Sequence, residues 1–346
     1  MKSSIDRRIE GLDELRGIAI LSVMLAHFFH FRTLDPRLAH FSIGGIGVDL
    51  FFIISGFLIT LILIKTRTDQ GRLRQFYVRR AFRILPLFFV VLALGVAITI
   101  FSGDSLRSLP FYLTFTQNLL AETPPIGDLL PAKYAPIVGL GPMWSLAVEE
   151  HTYLLLPWIV FSLDTRYLRY ALMGIAIIGI GLKGWACSGY FSDVGGFVYA
   201  NPHETWFRMQ YICLGGLLAV PNGKTSIVLV FITWCAFVFY FRSGLLELLI
   251  GGLLLAVVYS SVSGFSLIRN RLLARFGVLC YGIYLMHIFI LVGIERLHLP
   301  SPLALVLYVG SCYVVAEISF RYFELPVQRQ RVRFEPVKTE LLKSAT

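Results

Sequence analysis

The sequence predicts an all-α, polytopic integral membrane bundle of about ten transmembrane helices, and composition, apolar segments and charge placement all support this fold class. The chain has 346 residues, of which 56% are hydrophobic and only 15% are charged. Soluble globular domains carry about 25% charged residues. The sequence therefore excludes the soluble, disordered and fibrous classes and places most of the mass in a lipid bilayer.

Ten apolar segments approach the length needed to cross a membrane, which is roughly 20 residues. The first follows basic residues as a signal peptide would, but no small-residue cleavage site comes after it, so we interpret it as a retained span. Segments six to eight are short and closely spaced. The ten segments are 13–31, 48–64, 84–101, 144–163, 170–187, 206–220, 226–241, 244–260, 276–294 and 303–320.

The orientation follows from the Lys and Arg residues between these segments. With a cytoplasmic N-terminus, 23 of the 31 Lys and Arg residues lie in cytoplasmic connections and 6 lie outside. Cytoplasmic loops of membrane proteins carry such an excess. We therefore predict that both termini are cytoplasmic in a multi-pass protein of the plasma (inner) membrane. The net charge of +10 reflects this topology, and we expect no nucleic acid as a partner.

The cysteines predict neither a metal site nor a disulfide framework. All five lie inside or at the edge of apolar segments, without a CxxC pair or a histidine spacing suited to a metal. We expect them to be small buried apolar residues. They are Cys187, Cys213, Cys235, Cys280 and Cys312.

The first two spans contain ionisable residues, which are costly inside a membrane and often mark a site. His27 follows Arg16 by eleven residues, about 16.5 Å and close to three turns along a helix, so the two share one face. Arg16 is either a cytoplasmic anchor or part of a site, and His27 either an inter-helix hydrogen-bonding group or a reactive one. Asp49 either orients His27 or interacts with its own helix dipole. Ser55 precedes a glycine that permits close helix packing.

The later spans add further polar residues to the outer half of the predicted bundle. Glu149 and Glu150 point about 100° apart on a helix, and we favour Glu149 as the inward one. His287 reaches the middle-to-outer level of the ninth span, while Lys183 and Arg208 approach from outer helix ends. We expect the inner half to be mostly apolar.

A separate basic cluster lies in the predicted cytoplasmic segment 72–83, which contains five arginines. Arg80 and Arg83 are three residues apart and share a helical face. Arginine binds phosphate in a bidentate manner. The cluster either contacts lipid phosphates or binds a soluble polyphosphorylated ligand.

Six short motifs occur in order along the chain. Together they resemble the acyltransferase-3 family of integral-membrane O-acyltransferases, which acetylate bacterial glycans and polysaccharides. The resemblance predicts a membrane domain over 10–326 and a polar cytoplasmic tail over 327–346. The motifs are Arg16-x10-His27, Gly47–Phe57 with Ser55, Arg80-x-x-Arg83, Trp144–Glu149, Tyr281–His287 with Tyr284, and Ser319 with Glu324 and Pro326.

This resemblance implies transfer of an acyl group, commonly acetyl, from cytoplasmic acyl-CoA to a hydroxyl of an extracytoplasmic or lipid-linked glycan. Acyl-CoA is then a donor substrate, and we expect no tightly bound cofactor. Arg16, Arg80 and Arg83 would bind the donor. His27, oriented by Asp49 or Glu149, would act as general base or be transiently acylated itself. Further candidates are Ser55, Trp144, Glu150, Lys183, Arg208, Tyr284 and His287.

Two alternatives remain open from the sequence. Some family members carry a fused esterase-like domain, which we do not expect in this chain. Either the bundle completes the transfer itself, or a separate extracytoplasmic protein accepts the acyl group. A proton-coupled transporter or a glycan exporter would also place charges inside a bundle, although transporters often show repeated halves and none is visible here.

Overall fold

The structure, a computed structural model, is helical in the part of the chain that it describes. It describes residues 11–32, 43–119, 137–190, 205–241, 245–265, 268–331 and 334. The α-helices are α1 (Leu12–Arg32), α2 (Ile43–Lys65), α3 (Arg72–Phe101), α4 (Leu109–Leu113), α5 (Trp144–Ser162), α6 (Thr165–Tyr190), α7 (Met209–Ala219), α8 (Gly223–Phe241), α9 (Leu245–Val262), α10 (Arg271–Glu295), α11 (Ser301–Ser319) and α12 (Leu325–Gln330).

Each of the ten predicted spans corresponds to one helix of this series, so their helical character is confirmed. In the described part, α2, α3, α10 and the segment Ser301–Gln330 are long and apolar enough to cross a membrane. The shorter apolar helices are Met209–Ala219, Gly223–Val238 and Leu248–Val262. The count of ten crossings and the cytoplasmic position of the termini remain predictions. Most of the predicted tail, residues 335–346, lies outside the described residues.

The surface of the bundle carries the apolar side chains expected of a protein in lipid. Val90 on α3, Leu249 on α9 and Val306 on α11 are 52%, 62% and 69% exposed. Water would make such exposure costly on so many helices, whereas hydrocarbon does not. The exposed faces therefore fit a bilayer environment.

Helix α3 begins twelve residues before the predicted third span. Gly71 has a φ of 66°, which a glycine adopts without steric cost, and the helix continues from Arg72 through the arginine-rich segment into the apolar part. At 1.5 Å per residue, 30 residues extend about 45 Å. The arginine cluster therefore belongs to the same continuous helix as an apolar span.

Helices α1 and α10 pack backbone against backbone. A side chain on Gly17 would overlap the carbonyl of Leu273, and one on Gly277 would overlap the carbonyl of Asp13. Small residues permit such close approach between membrane helices. The close contact places the later turns of the two helices side by side.

Helices α2 and α7 form a second contact of the same kind. A side chain on Gly56 would overlap the carbonyl of Ile212, and one on Gly215 would overlap the carbonyl of Ile53. The pairing is parallel, because the contacts follow the same order along both helices: Asp49 pairs with Arg208 just before α7, and Thr60 lies beside Gly216 further along. This contact fixes the backbone on either side of Ser55.

Candidate active site

Two histidines from distant parts of the sequence meet between α1 and α10. Nε2 of His287 lies 3.3 Å from Nδ1 of His27, and their ring centroids are 5.0 Å apart. His287 is buried, whereas His27 is partly accessible. The pair thus has one enclosed imidazole and one that a substrate can reach.

Backbone carbonyls determine which nitrogen of each neutral ring carries the proton. Nδ1 of His287 lies 2.7 Å from the carbonyl of Tyr284, and Nδ1 of His27 lies 2.9 Å from the carbonyl of Val23. A carbonyl only accepts hydrogen bonds, so Nδ1 is the protonated nitrogen in both rings. The single proton on Nδ1 of His27 is then shared between the Val23 carbonyl at 2.9 Å and Nε2 of His287 at 3.3 Å. Nε2 of His27 keeps a lone pair for a proton.

Tyr284 connects this pair to the start of α5. Its hydroxyl lies 2.7 Å from Oγ of Ser145 and donates to the carbonyl of Pro142. Its ring centroid lies 5.8 Å from that of His287. The beginning of α5 is thereby held beside the histidines.

The Glu149 carboxylate accepts a hydrogen bond on each oxygen. Oγ of Ser55 donates to Oε1 at 2.9 Å, and the hydroxyl of Tyr153 donates to Oε2 at 2.8 Å. Hydrogen bonds to both oxygens fix the orientation of the carboxylate. The neighbouring Glu150 has a buried Oε1 without a hydrogen-bond partner among the described residues.

Arg80 joins the arginine cluster to this carboxylate through an aromatic ring. Its Cζ lies 4.9 Å from the ring centroid of Tyr153 and 5.5 Å from that of Phe76. Its charge is within electrostatic range of Glu149, Arg83 and Arg16. A long arginine side chain therefore extends to the polar residues of α5, and the mostly apolar inner half remains a prediction.

The two other candidate arginines differ in their surroundings. Arg83 is exposed, one turn beyond Arg80 on α3. Nη1 of Arg16 lies 3.3 Å from Oδ1 of Asp13 on its own helix. Of the three candidate donor-binding arginines, Arg80 is partly enclosed, Arg83 is accessible and Arg16 is paired with Asp13.

Asp49 and Arg208 form a buried ion pair between α2 and the start of α7. Nη1 of Arg208 lies 2.7 Å from Oδ1 of Asp49, and both side chains are fully buried. The guanidinium carbon lies 5.3 Å from the ring centroid of Trp144, and Nζ of the buried Lys183 lies 5.8 Å from that of Tyr211. The sequence leaves open whether Asp49 orients His27. In the structure His27 contacts the carbonyl of Val23 and the ring of His287, whereas Asp49 binds Arg208.

The sequence reasoning missed Tyr153. It follows Glu149 by four residues, and residues at that spacing are neighbours on a helix surface. The spacing was therefore the signal that could have identified it.

No metal site is visible in the ranges that the structure covers, where no group of three or more His, Cys, Asp or Glu residues could hold an ion. The described cysteines are free thiols. Cys213 and Cys312 are buried, while Cys235 is exposed. The expectation that every cysteine is buried is therefore wrong for Cys235 and only partly met by Cys280, which is half-buried; the side chain of Cys187 lies outside the described residues.

Comparisons with known proteins point to acyl transfer. The family model described as "Acyltransferase domain" matches residues 9–318. The chain is 26% identical to the peptidoglycan O-acetyltransferase OatA of Listeria monocytogenes, over 93% of this chain and 56% of that protein. It is 27% identical to YrhL of Bacillus subtilis, provisionally named for the same activity, over 96% of this chain and 57% of that protein.

A provisionally named O-acetyltransferase of Staphylococcus aureus is 25% identical, over 94% of this chain and 58% of its own length. The chain thus spans less than three fifths of the length of these relatives. No solved structure matches it significantly.

Proposed function

Because this chain belongs to the acyltransferase domain family, we propose that it is a membrane O-acyltransferase that moves an acetyl group from acyl-CoA to a glycan hydroxyl. The donor enters from the cytoplasmic side, and the acceptor is an extracytoplasmic or lipid-linked glycan. In this proposal the ten helices cross the plasma membrane and both termini are cytoplasmic, as the 23-to-6 distribution of Lys and Arg indicates.

The contact between His27 and His287 is the observation that carries the proposal. The unprotonated Nε2 of His27 accepts the proton of the acceptor hydroxyl. At the same time the oxygen of that hydroxyl attacks the thioester carbonyl carbon. The carbon–sulfur bond then breaks, and the CoA thiolate leaves with a proton from His27. Both imidazoles are held by backbone carbonyls, so the base is oriented before substrate arrives.

Arg80 and Arg83 are the proposed donor site. Guanidinium groups bind phosphate oxygens through charge-assisted hydrogen bonds, and the CoA head group supplies several phosphates. Arg80 already extends towards Glu149. Phosphates bound at Arg80 would therefore direct the thin thioester arm of the acyl-CoA into the bundle. Arg16 contributes positive charge beside them, within electrostatic range of Arg80.

The acceptor belongs to the cell envelope in this proposal. OatA of Listeria monocytogenes is named for peptidoglycan, and this supports a glycan with free hydroxyl groups as the acceptor class. A second route uses a separate extracytoplasmic protein that receives the acyl group and passes it on. The relatives extend beyond the region that matches this chain, which leaves room in those proteins for an accepting segment of that kind.

Acetyl-CoA consumption by the purified protein in detergent tests this proposal. Free CoA thiol and acetylated peptidoglycan strands should appear together, and His27→Ala should reduce their formation by at least about 100-fold, the usual contribution of a general base. The matched control is His30→Ala, because His30 lies on the same helix and is exposed. A protein that binds the glycan but never consumes acetyl-CoA would contradict the proposal and favour an exporter.

A further inference from the structure

We propose that Tyr153 is a positioning residue that couples the donor-binding arginine to the carboxylate of Glu149, an inference that rests on the proposed function. Tyr153 lies on α5 and is only 5% exposed. The guanidinium of Arg80 lies over its ring, and its hydroxyl donates to Glu149 on the preceding turn of the same helix. It therefore makes specific contacts with two groups of opposite charge.

The two contacts of Tyr153 reinforce each other. The hydroxyl donates to Oε2 of Glu149 at 2.8 Å, which moves electron density from the O–H group into the ring. A more electron-rich ring attracts the guanidinium of Arg80 above it more strongly. Loss of the hydroxyl therefore weakens both contacts, while loss of the ring removes the second completely.

Neighbouring residues keep Tyr153 in place. The ring of Phe76 meets that of Tyr153 edge-on, with centroids 6.5 Å apart, and Phe76 also lies beneath Arg80. On the same side, the hydroxyl of Tyr77 donates to the carbonyl of Leu154 at 3.1 Å. Helices α3 and α5 are thus tied together about one turn before Arg80 on α3, so the ring of Tyr153 has little freedom to move away.

The arrangement has a consequence for catalysis. Glu149 also accepts a hydrogen bond from Ser55, so Tyr153 is one of two groups that fix the carboxylate. Donor phosphates that bind Arg80 are in this way connected to Glu149 through one rigid side chain. Glu149 is one of the catalytic residues predicted from the sequence, and we take it as acting in the transfer. Tyr153 then affects donor affinity through its ring and affects turnover through the hydroxyl that holds Glu149.

Two substitutions separate these effects. Tyr153→Phe keeps the ring and removes the donor to Glu149, so kcat should fall about tenfold or more while KM for acetyl-CoA changes less than about threefold. Tyr153→Leu removes the ring as well, so KM for acetyl-CoA should also rise about tenfold. The measurements are steady-state kinetics with acetyl-CoA and peptidoglycan strands.

A double-mutant cycle provides a test that does not depend on the leucine variant. If the hydroxyl acts through Glu149, Tyr153→Phe should have no further effect on kcat in a Glu149→Gln background. The control is Tyr308→Phe, because Tyr308 is fully buried in α11 and its hydroxyl has no hydrogen-bond partner among the described residues. That variant should keep wild-type kinetics.

The inference is wrong if Tyr153→Phe matches Tyr308→Phe in kcat, or if its effect persists unchanged beside Glu149→Gln. It is also wrong if a folded leucine variant shows the same KM as the phenylalanine variant. These outcomes differ from failure of the proposed function, in which the wild-type protein itself would not consume acetyl-CoA.

Discussion

Replacing Asp49 by Asn is expected to destabilise the protein by about 3–5 kcal/mol. Asp49 and Arg208 are both fully buried, with 2.7 Å between Oδ1 and Nη1. Removing one partner of a buried pair leaves the other charge uncompensated, and this costs about 3–5 kcal/mol. Natural proteins unfold with free energies of about 5–15 kcal/mol. The substitution should therefore remove a large share of the total stability.

The assay is thermal and denaturant unfolding of the purified protein in one detergent. Asp49→Leu combined with Arg208→Met removes both charges, and a buried pair replaced by apolar residues is often neutral or stabilising. This double variant should consequently be more stable than Asp49→Asn alone. The control is Arg321→Gln, because Arg321 is 64% exposed and exposed ion pairs contribute about 1 kcal/mol or less.

A loss below about 1 kcal/mol for Asp49→Asn, equal to that of the Arg321 control, would refute this reasoning. A double variant less stable than Asp49→Asn would refute it as well. Acyl transfer gives an independent measurement. If Asp49 instead acts beside His27 in the reaction, its Asn variant would unfold normally and lose activity.

Two further predictions concern the donor and its side of the membrane. Arg80→Ala should raise KM for acyl-CoA about tenfold or more, and Arg80→Lys should restore it only in part because bidentate geometry is lost; complete rescue by Lys would show that charge alone matters. In sealed right-side-out vesicles, acyl-CoA should work only from the lumen and a polymeric glycan only from outside, with the reverse in inside-out vesicles. Turnover with both substrates on the cytoplasmic face would contradict transfer across the membrane.

The helical architecture was largely predictable because a bilayer requires long apolar segments. The ten segments read from hydropathy all fall on helices. The start of α3 was missed because polar and arginine-rich residues form helix as readily as apolar ones. Hydropathy detects the part of a helix that meets lipid, and it carries no information on where the helix continues beyond it.

The members of the candidate site were easier to predict than their pairings. His27, Asp49 and Glu149 stand out because charged or titratable groups in apolar segments are rare. Their partners depend on how the helices pack, since His287 lies 260 positions from His27 and Arg208 lies 159 positions from Asp49. No spacing rule along one helix connects residues that far apart.

The glycine contacts between α1 and α10 restrict how this protein can admit its substrates. Gly17 and Gly277 leave no side chain between the two backbones, so neither helix can slide or rotate without carrying the other. A rocking motion that opened a path between them would separate His27 from His287, the contact on which the proposed function rests. Under the proposed function, substrates are therefore expected to reach the histidines around the α1–α10 pair, through movements of other helices, so that the two imidazoles keep their geometry from one turnover to the next.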